Sequence, residues 1–98
     1  MAYNHVTLVG NLVTDPVKSE VGKREKSSFQ IGVDRYMGKD NPQEVDFFQI
    51  VAWGKLAEIC NSHLLKEKKV LIDGRVQITN EESKWITEII AENVKFLK

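Results

Sequence analysis

The hydrophobic period of this 98-residue chain changes inside one stretch, and that change constrains the fold more than any other feature. From Asp46 to Trp53 the side chains alternate, with Phe48, Ile50 and Ala52 on one face and Phe47, Gln49, Val51 and Trp53 on the other. Gly54 breaks the alternation. Beyond it Leu56, Ile59, Cys60 and Leu64 recur at helical spacing and form one apolar stripe. A strand therefore runs directly into a short helix. The second face of that strand carries two large aromatics, Phe47 and Trp53, that its own core does not require.

The flanking segments extend this reading. Tyr3 to Leu12 alternates as a strand, with Val6 and Leu8 inward and His5, Thr7 and Val9 outward. Gly10 stands late in that run, where a glycine commonly marks a bend. Thr14-Asp15-Pro16 signals a turn, and Val17 to Lys26 reads as a polar, basic edge segment or loop around Gly22. Ser27 to Asp34 is a second strand with Phe29, Ile31 and Val33 inward and Ser28, Gln30 and Gly32 outward. Arg35 to Glu44 lacks periodicity and reads as a long loop. After the helix, Val70 to Ile78 forms a strand bent at Gly74, Thr79 to Lys84 a short polar turn, and Trp85 to Val94 the last strand. The order β-β-β-α-β-β, with glycines bending the first and fourth strands, predicts an all-β domain over residues 1–98: a five-stranded Greek-key barrel of the OB type, with one α-helix between strands 3 and 4.

Composition narrows the function by exclusion. Fourteen Lys and Arg balance fourteen Asp and Glu, so the net charge is zero and bulk attraction to nucleic acid is not expected. A locally basic groove lined with aromatics can still act inside a neutral protein. The single Cys60 lies on the apolar stripe and reads as structural. With only His5 and His63 as further soft ligands, no metal site is expected. The chain shows no phosphate-binding glycine loop, catalytic triad or paired-carboxylate motif, so no catalytic residue and no cofactor are expected. No signal peptide or membrane-spanning run is read from the sequence, which implies a cytoplasmic protein without membrane contact.

Binding fits the residues better than catalysis. Unpaired bases offer π-faces, and aromatics on a basic sheet surface grip them. Phe47 and Trp53 are six residues apart, about 20 Å at ~3.3 Å per residue, a span that several nucleotides bridge. Tyr36 lies beside Arg35 and near Lys39, Lys55 follows Trp53, and Lys84 precedes Trp85. Outward aromatics equally mark protein interfaces, and spacing alone leaves both readings open. Lys66, Lys68 and Lys69 read as a solvated loop rather than a phosphate clamp.

Four motifs carry a resemblance. Val6-Thr-Leu-Val-Gly-Asn-Leu with Asp15-Pro16, Asp46-Phe-Phe-Gln-Ile-Val-Ala-Trp-Gly-Lys-Leu-Ala-Glu, Val70-Leu-Ile-Asp-Gly-Arg-Val and Thr87-Glu-Ile-Ile-Ala-Glu-Asn-Val together resemble the bacterial single-stranded-DNA-binding proteins, in order and over nearly the whole chain. The resemblance implies an OB-fold, assembly as a homotetramer (or a dimer) and sequence-independent binding of single-stranded DNA in replication, recombination and repair, at the nucleoid. By position it implies base stacking on Tyr36, Phe47 and Trp53, a contact from Lys55 and a weaker phosphate contact from His5. To these the residues themselves add Trp85 as a further stacking candidate and Arg35, Lys39, Arg75 and Lys84 as phosphate contacts.

The chain also departs from the resemblance. The last hairpin is shorter, and Glu81 and Glu82 stand where the family has an aromatic on its outgoing arm. Gln49, Gln77 and Thr79 occupy places where cations are common, so weaker binding or a smaller footprint is expected. The acidic, Phe-terminated tail that recruits other replication proteins has no counterpart, which fits a natural short form, a mobile-element version or a trimmed piece alike. Two rival readings are an OB-fold primosomal accessory that docks a helicase-loading partner, and an RNA-binding OB module.

Overall fold

A computed structural model describes residues 1–35, 38–39 and 44–98. Six strands and one helix follow in the order β1 (Val6–Leu12), β2 (Val17–Val21), β3 (Arg24–Arg35), β4 (Glu44–Trp53), α1 (Gly54–His63), β5 (Lys69–Glu81) and β6 (Lys84–Leu97). Five of the strands close a ring. β1 pairs with β5 from Val6↔Gly74 to Asn11↔Lys69 and then with β3 at Asn11↔Gly32 and Leu12↔Ile31. β3 pairs with β4, β5 with β6, and β4 meets β6 in a parallel contact at Ile50↔Ile89 and Val51↔Ile90. The five-stranded barrel with its helix after the third ring strand is therefore present. The sixth strand is β2, expected as an edge segment or loop. It pairs with β3 through a two-residue turn in which Gly22 takes φ +65°, as the first central residue of a type II′ turn does.

The core is the inner face of that ring. Leu12, Phe29, Ile31, Ile50, Ala52, Val70, Ile72, Ile89 and Ala91 meet inside it, and Ala57, Cys60 and Leu64 of the helix segment join them. The stripe differs from expectation at one position. Ile59 is exposed, and Ala57 is buried in its place within the core cluster of a helix that packs against β3 and β4. Gly10 and Gly74 are the positions where backbones approach most closely. A Cβ on Gly10 would run into the Gly32 carbonyl where β1 passes from β5 to β3, and one on Gly74 would run into the Ile90 carbonyl. Opposite Gly74 the ladder skips a residue, pairing Asp73 with Asn93 and Gly74 with Ala91, so Glu92 bulges and bends the pair.

Strand lengths also depart from the sequence reading. β1 starts at Val6 rather than Tyr3, yet the Asn4 side chain continues the ladder by donating to the Val76 carbonyl at 2.7 Å and accepting from the Val76 N–H at 2.9 Å. The expected turn at Thr79 to Lys84 is strand except at Glu82 and Ser83, which take φ +49° and +69°, the two left-handed residues of a type I′ turn. Uninterrupted pairing from Val76↔Ile89 to Glu81↔Lys84 carries the β5–β6 hairpin to exposed ends at Glu81 and Lys84.

Candidate nucleic-acid interface

The outer face of the sheet follows from the alternation of its strands. Because Phe48, Ile50 and Ala52 of β4 are inside, Phe47, Gln49, Val51 and Trp53 lie on the opposite face, where Val51 is buried and the other three are open to solvent in part. Register then decides their neighbours. Lys26 of β3 lies directly opposite Trp53, Gln30 opposite Gln49 and Gly32 opposite Phe47. Gly32 keeps the surface open beside Phe47, whose ring edge lies 3.5 Å from where a Cβ would stand, and Phe47 is 58% exposed.

At the other end of β4, cations cover the indole. The Arg24 guanidinium carbon is 4.8 Å from the Trp53 ring centroid and the Lys26 Nζ is 5.4 Å from it, both within cation–π range. Trp53 and Arg24 form one wall of an open groove of about 520 Å³ whose other wall is Arg75, Gln77, Ile90, Ala91 and Glu92 of the β5–β6 hairpin, with Leu56 at its base. Arg75 Nη1 donates to Gln77 Oε1 at 3.0 Å, which fixes the guanidinium along the hairpin wall. Two cations, Arg24 and Arg75, against the single carboxylate of Glu92 make the groove lining locally basic in a chain of zero net charge, with Lys26 close by over the indole. An aromatic face with cations on both sides suits a base and its flanking phosphates.

The sequence-derived candidates divide around this groove. Trp53 and Arg75 line it, and Phe47 stands farther along the same outer face. Lys55, in the first turn of α1, has its side chain 81% exposed and Nζ 3.8 Å from Glu58 Oε2. Tyr36 lies outside the described residues, and Lys39 is exposed at the turn after β3. Arg35 is engaged by carboxylates: Nη2 and Nε meet Asp46 at 2.5 and 3.3 Å, and Nη1 meets Glu44 at 2.8 Å. The hydrogen bonds and charge of Arg35 hold the Asp46 carboxyl below its ordinary range, and Asp46 in turn raises the guanidinium further. His5 precedes β1, and its Nε2 lies 3.2 Å from Thr7 Oγ1 and 3.7 Å from Asp73 Oδ1. Lys84 sits at the hairpin tip across from Glu81. Trp85 alternates with Ile89 and so lies on the hairpin face opposite to Arg75 and Gln77.

Arg24 and Lys26 are the functional candidates that sequence reasoning did not single out. The basic character of their segment was visible, but their position over Trp53 depends on the β2–β3 turn and the β3–β4 register.

Residues 3–97 match the family described as "Single-strand binding protein family". The chain is 38% identical to the single-stranded DNA-binding protein of Clostridium tetani over 102 residues, covering 97% of this chain and 70% of that protein. It is 39% identical to single-stranded DNA-binding protein 3 of Clostridium acetobutylicum, covering 97% of this chain and 71% of that one. Among solved structures, the Plasmodium falciparum SSB complex with ssDNA superposes with a TM-score of 0.90 at 19% identity, covering all of this chain and 97% of the other, which shows a shared fold.

Proposed function

The chain belongs to the single-strand binding protein family, and from that premise we propose that it binds and protects single-stranded DNA without sequence preference, as a non-enzymatic protein of replication, recombination and repair. The observation that carries this reading is the Trp53 indole, flanked by Arg24 and Lys26 on the rim of a basic groove and sharing its sheet face with the exposed Phe47. Bases stack on Phe47, Trp53 and Tyr36. Arg24, Lys26, Arg75 and Lys55 take the phosphates, with Lys39 and Lys84 at the margins. Arg35 and His5 contribute less, because each already faces a carboxylate. Trp85 stands apart from the groove.

The protein acts as a homo-oligomer, a tetramer or a dimer, in the cytoplasm at the nucleoid. Support for assembly comes from β1. Its Val6–Val9 segment pairs with β5 on one side and has no strand on the other among the described residues, which leaves an edge for a twofold copy.

A fluorescence titration with oligo-dT tests the reading. Trp emission should quench on binding, and affinity should fall as salt rises. Unchanged emission with no DNA retained at low salt would sink it. Competition with oligo-U separates DNA from RNA as the natural strand, and mass in solution with and without oligo-dT gives the oligomer.

A further inference from the structure

Between its two aromatics, the face of the β3–β4 ladder opposite the core carries no charge. Along it lie the pairs Gly32↔Phe47, Gln30↔Gln49, Ser28↔Val51 and Lys26↔Trp53. Gln30 therefore faces Gln49 directly, two residues or about 7 Å along the strand from Phe47. The main-chain groups of Gln30 turn away from β4. Its N–H donates to Thr14 Oγ1 at 3.3 Å, and its carbonyl accepts from the Val13 N–H at 2.8 Å. The two glutamines are thus a non-hydrogen-bonded pair of the ladder, with Cα atoms about 4.5 Å apart and side chains close together. Both are partly exposed, and neither side-chain amide has a hydrogen-bond partner among the described residues. Gly32 adds no side chain beside them, and the Phe47 ring reaches over it, its edge 3.5 Å from where a Cβ would stand. The result is an open slot with an aromatic wall and a floor of two free amides.

We propose that the Gln30–Gln49 pair reads a base edge and gives the protein a preference for adenine at the nucleotide stacked on Phe47. The inference rests on the single-strand reading of this face and adds a register to it. A primary amide offers a donor beside an acceptor, so it pairs bidentately with a base edge that offers the same two in reverse. Adenine has two such edges, because its N6 amine carries two hydrogens and lies between the acceptors N1 and N7. Thymine and cytosine have one, on the Watson–Crick side, since position 5 bears a methyl or a C–H. The Hoogsteen edge of guanine holds acceptors alone. Two amides side by side are both satisfied by adenine, and one of them is left unmatched by every other base. Stacking and phosphate contacts accept all four bases, so the strand is still held anywhere along its length. The glutamines decide where on it the protein settles.

Two strands test this, one alternating dC with dA and one alternating dC with dT, neither of which base-pairs with itself. The wild type should favour the dC/dA strand roughly fivefold, the lower end of what a bidentate base contact discriminates. That ratio should hold as salt rises and both affinities fall, because amide contacts release no counterions. Replacing dA by 7-deazaadenine keeps the ring area and removes the N7 acceptor, and should bring the ratio close to one. Gln30→Met with Gln49→Met, similar in volume and checked for folding by circular dichroism, should do the same. Equal wild-type affinity for the two strands overturns the proposal. So does a preference that survives 7-deazaadenine or the double substitution, which would assign it to purine stacking. The 7-deazaadenine arm uses the unaltered protein, so it decides the matter even where a variant fails to fold. Wild-type binding to the dC/dT strand reads the single-strand function by itself. Its absence sinks that reading, whereas equal binding to both strands sinks the adenine preference alone.

Discussion

Arg24 on β3 and Trp53 on β4 are stacked, guanidinium carbon 4.8 Å from ring centroid, on the surface that faces away from the core. The cation lies over the indole and puts a charge on its π-face. Arg24→Ala should therefore weaken oligo-dT binding and lower the salt slope by ~0.7, the loss of one phosphate contact on a single strand. Trp53→Ala should cost ~1–3 kcal/mol of affinity. Tighter binding by Arg24→Ala would mean that the guanidinium competes with the base for the ring.

The clasp of Arg35 on Asp46 makes stability depend on acid. Hydrogen bonding and charge from Arg35 lower the Asp46 pKa in the folded chain relative to its ordinary 3.8, so the unfolded chain takes up that proton first as pH falls. The contribution is complete above the ordinary carboxylate range and is lost as pH falls through the lowered folded value. Melting curves of the wild type and Asp46→Asn should differ at pH 7 and converge toward pH 2. A constant gap across that range would assign the difference to packing rather than to the ion pair.

Gly74 is held by the main chain, not by side chains. Gly74→Ala forces a methyl into the Ile90 carbonyl beside the Glu92 bulge, and neither strand of the closed ring can withdraw freely. A loss of ~1–3 kcal/mol in urea unfolding is expected, the usual scale for overpacking. Since Arg75 follows directly and lines the groove, DNA affinity should fall in the same variant.

Cys60 reports on the core. Burial among Phe29, Ile50 and the other barrel residues pushes its thiol up to about 11, and its side chain is inaccessible. A disulfide reagent at pH 8 should label it only as the chain unfolds, with labelling rates tracking global stability across the variants above. Rapid labelling of the native protein would show that α1 opens locally.

The parts of this molecule legible in the sequence are those governed by period. Phe48, Ile50 and Ala52 alternate with Phe47 and Trp53, and both faces of β4 follow from that alone. The exchange of Ile59 for Ala57 was hidden because a stripe gives direction but not the distance between α1 and the sheet. Glu82 and Ser83 form a type I′ turn without glycine or asparagine, so the usual turn signal was absent and the hairpin read as shorter than it is. The partners of Trp53 were hidden for a third reason. Lys26 meets Trp53 through a register between residues 27 apart.

The order of ring closure governs when this protein becomes competent during its own synthesis. β3 and β4 are adjacent in the chain and can pair early, but β1 waits for β5 and β4 waits for β6. At ~5–20 residues per second, the sixty-eight residues from Val6 to Gly74 mean a delay of several seconds with Val6 to Gly10 unpartnered, while Asn11 and Leu12 can already pair with β3. One wall of the groove, Trp53 with Arg24, exists before the other, Arg75, has been translated. A nascent chain therefore carries one wall of the groove and an uncovered Phe29–Ile31–Ile50 face at once. Hydrophobic chaperone contact and premature strand capture become competing fates on the ribosome.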